Sequence, residues 1–259
     1  MRNNLPMQEL KGQCAIITGA SRGIGAATAI EMAANGMHVV LAARSINDCE
    51  RVADEINSNG GKATSVACDV SRYDHLQKAV AHAISHFGRL DVLVNNAGTI
   101  DPIAYLADSD PEGWANVVDI NLKGVYFGIR AVLPIMKDQN SGVIVNISSG
   151  AATNALAGWS HYCATKAGVL ALTQCVHKEY ADHGVRCIGM SPGTVATDMQ
   201  VSIKKSGVGP VSQMEFSDHI PPQWPAKAIT YLCTSDAAEF SGTDFSIKTD
   251  EGRQRAGLI

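Results

Sequence analysis

A short apolar run from Gln13 to Thr18 gives way to Thr18-Gly19-Ala20-Ser21-Arg22-Gly23-Ile24-Gly25, and that turn opens a helical pattern to about Asn35, with Gly36 as its stop. No other stretch constrains the fold as much. A strand, a glycine-rich turn and a helix in this order begin a dinucleotide-binding unit. The glycines permit a tight turn and the close approach of a pyrophosphate. The helix N-terminus offers free N–H groups at the positive end of its dipole. The spacing is T-G-x-x-x-G-x-G rather than G-x-G-x-x-G, and a structural turn alone also uses such glycines.

The alternation continues along the chain. Strands are predicted at 38–42, 63–67, 90–94, 143–147, 185–190 and 244–247, with helices at 46–59, 72–87, 113–137, 159–182 and 226–234. Such alternation predicts an α/β fold of the Rossmann kind, a doubly wound parallel sheet of about seven strands with helices on both faces. The 259 residues, 46% of them hydrophobic, suffice for one large core. There is no repeat, low-complexity tract or linker, so residues 1–259 are expected to form one domain. It would carry a short N-terminal extension (1–9), a mobile lid over about 198–222 and a C-terminal tail (251–259).

Composition excludes several classes. The net charge is −4 with no basic block, so neither nucleic acid nor membrane is expected as a partner. Seven scattered cysteines without a C-x-x-C pair fit neither a disulfide framework nor a zinc site. The first residues hold no apolar signal core and no run is long enough to span a bilayer, so a cytoplasmic protein is expected. His82 and His86 stand four apart but lack a third ligand, and they read as an exposed helix face, with no metal site expected.

The chemistry-bearing residues fall at the carboxyl ends of the predicted strands, where ligands gather in open parallel sheets. The second strand ends in Ala42-Ala43-Arg44-Ser45 with no acid. An acid there would take a ribose 2′-hydroxyl. Arg44 with Ser45 and Arg22 instead suits a 2′-phosphate, so NADP(H) is the preferred cofactor, with NAD(H) possible. Otherwise Arg44 caps a strand and Arg22 points to solvent. Asp69 either accepts from an adenine amino group or, with Ser71, caps the next helix. Asn95-Asn96-Ala97-Gly98 lets a cofactor come close to the fourth strand. Asn121 interrupts an apolar helical stripe, as a water-bound kink or a core amide with its bonds satisfied. Tyr162 and Lys166 share one helix face. Moving a phenol from about 10 to neutrality takes roughly 4 kcal/mol. An ammonium about 4 Å away supplies on the order of that at an effective dielectric near 20. Lys166 is thus expected to lower Tyr162 so that it exchanges a proton with a substrate oxygen. Ser149 can hydrogen-bond the same oxygen. A Tyr and a Lys four apart also occur as a plain solvated face.

Taken together, Thr18 to Gly25, Asn95-Asn96-Ala97-Gly98, Asn121, Ser149, Tyr162-Cys-Ala-Thr-Lys166 and Ser191-Pro192-Gly193 resemble the short-chain dehydrogenase/reductase family, in its single-domain branch, over roughly Leu10 to Asp250. The resemblance implies that Tyr162 is the general acid/base and that Ser149, rather than its neighbour Ser148, orients the substrate oxygen. Lys166 would tune Tyr162 and bind the nicotinamide ribose. Asn121 would hold a water that links Lys166 to solvent. Gly19, Ser21, Arg22, Gly23, Ile24 and Gly25 would line the pyrophosphate and ribose. Asp69 and Val70 would meet the adenine, Asn95, Ala97 and Gly98 the ribose region, and Pro192, Gly193, Val195 and Thr197 the nicotinamide side. Substrate would meet Ala151, Asn154, Trp159, Thr194 and Met199 beside Ser149 and Tyr162. The activity implied is hydride transfer between NAD(P) and a carbonyl or secondary alcohol, most simply NADPH-dependent reduction of a ketone or aldehyde.

Alternatives are a 3-oxoacyl-thioester reductase, an NAD-dependent alcohol or polyol dehydrogenase, an isomerase or lyase on the same fold, and a silent NADP-binding regulator. Similar proteins are commonly tetramers, so a homotetramer or homodimer is expected. The chain departs from the family at its end, where Thr249-Asp250-Glu251-Gly252 replaces an Asp-Gly-Gly turn and the last strand, TDFSIK, is unusually polar. The tail beyond might close over a neighbour's pocket.

Overall fold

In the computed structural model, residues 5–259 are described. The chain enters through a short helix α1 (Leu5–Gln8). Then follow β1 (Cys14–Thr18), α2 (Gly23–Ala34), β2 (His38–Ala43), α3 (Ile46–Ser58), β3 (Lys62–Ala67), α4 (Tyr73–Phe87) and β4 (Val92–Asn95). The second half runs α5 (Pro111–Val118), α6 (Gly124–Asp138), β5 (Gly142–Ile147), α7 (Ser160–Tyr180), β6 (Val185–Ser191), α8 (Asp198–Ser206), α9 (Gln223–Leu232), β7 (Asp244–Ser246) and α10 (Asp250–Arg255). The seven strands form one sheet in the order β3-β2-β1-β4-β5-β6-β7, every pair parallel.

Strands buried on both faces read as near-continuous apolar runs, as β1, β2, β4 and β5 do. One apolar layer joins Ile17, Leu41, Val94 and Val145 to Met32 of α2 and Ile229 of α9. The other joins Ile16, Val40, Leu93 and Ile144 to Leu76 of α4, Ile129 of α6 and Val169 of α7. A third, smaller cluster of Ile100, Ala151, Trp159, Tyr162 and Ile203 lies over the carboxyl edge of the sheet. Strand order reverses between β1 and β4, and this switch point opens the crevice in which such sheets hold ligands.

Three elements differ from the sequence reading. The helix expected over 113–137 is two helices, α5 and α6, joined by a π-helical turn at Asp119–Lys123. The wider turn releases one residue from the regular ladder. The stretch expected as a mobile lid contains elements the sequence did not announce: α8, the short 3-10 helices Pro210–Gln213 and Phe216–Asp218, and a bridge between Val195 and Ile220. The tail forms α10 and returns to its own chain, with Ala256 and Leu258 against the first apolar layer and Arg253 Nε donating to Ile247 O at 3.0 Å. Among the described residues, no helix is long and apolar enough to cross a membrane.

Candidate active site

The glycine turn works by exclusion. Gly19 has φ +64°, and a Cβ on it would stand 2.9 Å from the Ala97 Cα. A Cβ on Gly25 would overlap Gly19 O, so Gly25 serves the packing of α2 beneath the turn. The turn is tied to β4 by Thr18, whose Oγ1 accepts from Asn96 N at 3.0 Å and Ala97 N at 3.1 Å. Asn96 Nδ2 returns a bond to Thr18 O at 2.8 Å. The N-terminus of α2 carries no side-chain cap, so its first N–H groups are free to meet an anion.

These elements wall one side of a cavity of about 1230 Å³. That exceeds the roughly 300–1,000 Å³ of an ordinary small-molecule pocket and leaves room for a dinucleotide and a substrate together. Of the residues expected from the sequence to meet cofactor or substrate, Gly19, Ser21, Arg22, Gly23, Ile24, Arg44, Ser45, Asp69, Val70, Ala97 and Gly98 line it on this side. Ser149, Ala151, Asn154, Trp159, Tyr162, Lys166, Pro192, Gly193, Thr194, Val195, Thr197 and Met199 line it on the other. The glycine cradle and the uncapped helix end fit the pyrophosphate of NAD(P).

Two expected contacts are not on the wall. Gly25 lies beneath it, as above. Asn95 turns inward, where its Nδ2 donates to Asn146 Oδ1 at 2.9 Å, and the cavity is lined by Asn96 instead. In an extended strand successive side chains alternate faces, so of Asn95 and Asn96 only one can face the opening. Asn121 is fully buried in the π-helical turn. Its Oδ1 accepts from Thr99 N at 2.8 Å and its Nδ2 donates to Thr99 O at 2.7 Å. Of the two alternatives, these bonds show the core amide with its bonds satisfied, set in a π-helical turn.

The Tyr162 helix is held from below and from the side. His161 Nδ1 accepts from Tyr162 N at 2.7 Å, which leaves Nε2–H to donate to Pro102 O at 2.6 Å. The Trp159 ring meets the Tyr162 ring edge-on at 5.7 Å. Lys166 Nζ donates to Ile147 O at 2.7 Å and stands 5.4 Å from the centre of the Tyr162 ring. Ser149 Oγ accepts from Ala151 N at 3.1 Å, which fixes its hydroxyl at the rim.

The electrostatics of the pair run opposite to the sequence expectation. Burial pushes the Tyr162 phenol up to about 12, with the Ser149 hydroxyl pulling down and Cys163 pushing further up. Burial also pushes Lys166 down to about 8, with Asp244 pulling it back up. The ammonium is aimed at a backbone carbonyl rather than at the phenol oxygen, and desolvation dominates both groups.

On the other wall the charges are exposed. Arg22 pairs with Asp198 of α8 at 3.1 Å, both about three-quarters exposed. The Asp69 carboxyl is held below its usual range. Burial opposes this, but the Ser71 hydroxyl and N–H and the Arg44 cation outweigh it. So Asp69 bonds Ser71 in the loop before α4 while facing the cavity, and neither residue caps that helix, whose N-cap Arg72 makes no side-chain capping bond. The sequence reading missed Lys248 and Arg253 on the wall, because they belong to the polar end of the last strand and to the tail, the two places where the chain departs from the family pattern. Among the described residues, no three His, Cys, Asp or Glu side chains gather as a metal site.

Residues 13–207 match the family described as short chain dehydrogenase. The chain belongs to that family. It is 39% identical to a 3-oxoacyl-[acyl-carrier-protein] reductase of Synechocystis sp., over 93% of this chain and 97% of that protein. Among solved structures it is similar to levodione reductase, with a TM-score of 0.86 and 27% identity over 95% of this chain and 98% of that one. It is also similar to a 3-ketoacyl-(acyl-carrier-protein) reductase from Brucella melitensis complexed with NADH, with a TM-score of 0.82 and 30% identity over 92% of this chain and 97% of that one. The chain is accordingly an oxidoreductase that acts on alcohol or carbonyl groups with NAD(P).

Proposed function

We propose that this chain, as a single domain, reduces a ketone or aldehyde with NADPH. The observation that carries the reading is the convergence of Ser149, Tyr162 and Lys166 on one wall of a cavity whose other wall offers Arg44 and Ser45 and no acid at the end of β2. The bound cofactor supplies the hydride. The chain's own residues manage the oxygen and one proton. The Ser149 hydroxyl orients the carbonyl oxygen. Tyr162, protonated at neutral pH because of its burial, donates to that oxygen as negative charge develops on it. The Lys166 ammonium stabilises the phenolate left behind, and Asn121 fixes the π-helical turn and the Thr99 backbone beside the site. Ala151, Asn154, Trp159, Thr194 and Met199 shape a mixed small-and-apolar substrate wall.

Arg44 is exposed at the cavity rim, where its planar guanidinium suits a 2′-phosphate. Arg22 would have to exchange Asp198 for that phosphate, a small step because an exposed ion pair is worth only about 0–1 kcal/mol. Calorimetry of NADPH and NADH on the wild type and on Arg44→Ala tests this. NADPH should bind more tightly, with the gap narrowing in the variant; equal or better NADH binding contradicts it.

A neutral small carbonyl compound is the favoured substrate. The Synechocystis relative supports a second reading, a 3-oxoacyl-thioester reductase. Lys248 and Arg253 on the cavity wall would suit an anionic carrier. Comparing turnover of a neutral keto ester with that of the matching 3-oxoacyl thioester decides between them. A homotetramer or homodimer built on α5–α6 and α7 is in keeping with exposed Tyr126 on α6, and a cytoplasmic setting with the free thiols.

A further inference from the structure

The polar start of the last strand has no part in the scheme above. Asn95, Asn146, Gly189 and Asp244 are register partners across β4, β5, β6 and β7, so they form one rung and face the same side of the sheet. That side is the one α7 covers, because Asn146 Nδ2 donates to Thr173 Oγ1 of α7 at 2.9 Å. Glycine at 189 makes the rung possible. A Cβ there would stand 2.6 Å from Asp244 Oδ1, so the carboxyl occupies the space a side chain would have filled and reaches across β6 toward β5.

Just past the end of β5, two residues beyond Asn146, is the buried hydroxyl of Ser148. Next to Ser148 is Ile147 O, which holds Lys166 Nζ. Asp244 Oδ1 and Ser148 Oγ are both buried, and neither completes a well-formed hydrogen bond, although Ser148 lies close enough to favour the carboxylate. A buried charge is retained at such a place only with a compensating partner.

We propose that Asp244 is the counter-charge of the Lys166 ammonium: a positioning residue on β7 that acts on the reaction through Lys166. Every group around the pair has been placed. From α7 come Lys166, the neutral Tyr162 and, deeper, His177, which bonds Ser241 at 2.9 Å. From β5 comes Asn146 and from just past its end Ser148; from β6 come Gly189 and, beside Asn146, Cys187, whose thiol burial holds neutral by pushing it up to about 12. Lys166 is the charged group that favours ionised Asp244, and Asp244 is the one that favours charged Lys166. Burial raises the acid, against the Ser148 hydroxyl and Lys166, to about 6, and lowers the base, against Asp244, to about 8, so between these values both are charged and each sustains the other.

The proposal rests on the carbonyl-reductase reading for its consequence, not for its test. Reduction needs both Lys166 and Tyr162 protonated. Removing the neighbouring negative charge makes the ammonium lose its proton at lower pH. The alkaline limb of kcat for reduction should then move acidward.

The direct readout is the titration of Lys166 in protein labelled with 13C at the lysine Cε, the resonance being assigned by its loss in Lys166→Arg. In Asp244→Asn, and equally in the smaller Asp244→Ser, the Lys166 midpoint should fall by about one pH unit, a tenfold change in its proton affinity. Reduction should weaken on the alkaline side by the same factor, with little change at pH 6. An unmoved midpoint in a folded variant overturns the proposal, as does a rate loss equal at every pH, which marks a merely structural role. A wild type that turns over no carbonyl compound would instead defeat the reductase reading, and the lysine titration would still decide the role of Asp244.

Discussion

The two walls of the cavity are built from opposite physical materials. Along β1 to β3 the charged groups that face the ligand are exposed or half-buried and already engaged with small partners: Arg22 with Asp198, Asp69 with Ser71. Along the end of β5 and α7 the proton-handling groups are sealed, with Tyr162 8% and Lys166 5% exposed, and Asn121 in the π-helical turn behind them is not exposed at all. Screened surface charges are cheap to rearrange, so the first wall can tune which cofactor binds without disturbing the fold. Buried groups are costly to place and have shifted proton affinities, which is what proton transfer requires. The difference predicts that substitutions on the two walls change different quantities.

The largest break should come on the sealed wall. Lys166→Met keeps volume and removes the charge. Reduction should fall by about 10²- to 10⁴-fold, the usual range for losing a component of acid–base catalysis, in a protein that still melts cooperatively. If turnover survives, the buried ammonium is structural and the contrast collapses. Asn121→Ala should lower stability. It orphans Thr99 N–H and C=O, each worth about 1–3 kcal/mol if left unsatisfied, and a fall of several degrees in Tm checks it.

The pH dependence sharpens the same contrast. Wild-type reduction should hold below about 8 and decline as pH rises through that value, because the lowered Lys166 then gives up its proton. A profile flat to pH 10 in stopped-flow assays would contradict the burial argument.

Effects on the exposed wall should be smaller and confined to binding. Arg44→Ala should raise the Kd for NADPH by about tenfold, an interaction of about 1.4 kcal/mol, and leave NADH within twofold. Asp198→Ala should be the mildest. It frees Arg22 from an ion pair worth about 0–1 kcal/mol and should tighten NADPH by at most a few fold in the same titration.

Much of this arrangement was legible in the sequence, for identifiable reasons. Buried parallel strands announce themselves as apolar runs, and Gly36 and the Asn59-Gly60-Gly61 turn mark where α2 and α3 stop. Seven strands were found within two residues at each end. The residues that converge at the switch point were readable because they sit at strand ends. What stayed hidden depends on side-chain direction or on tertiary contact. Asn121 marks an interruption of the apolar stripe through 113–137, but periodicity alone does not tell a π-helical turn from a straight helix with a buried amide. Asn95 and Asn96 differ only in which face the strand gives each. The Arg22–Asp198 pair joins residues 176 positions apart. Asp244 in a polar strand was visible as an oddity, but only the glycine opposite it at 189 shows where its carboxyl goes. The packing of Ala256 and Leu258 of the tail against the core is likewise a tertiary contact that no local pattern announces.

The account stands most directly on Tyr162. The measurement is NADPH oxidation with a ketone panel by wild type and Tyr162→Phe, with the NADPH Kd of each from calorimetry. The phenol hydroxyl is the proposed proton donor and the ring is held by Trp159, so Phe should keep the fold and the cofactor affinity while turnover falls by about 10²- to 10⁴-fold. Full turnover in a folded Tyr162→Phe protein with unchanged NADPH binding would contradict the account, because the proton would then come from elsewhere.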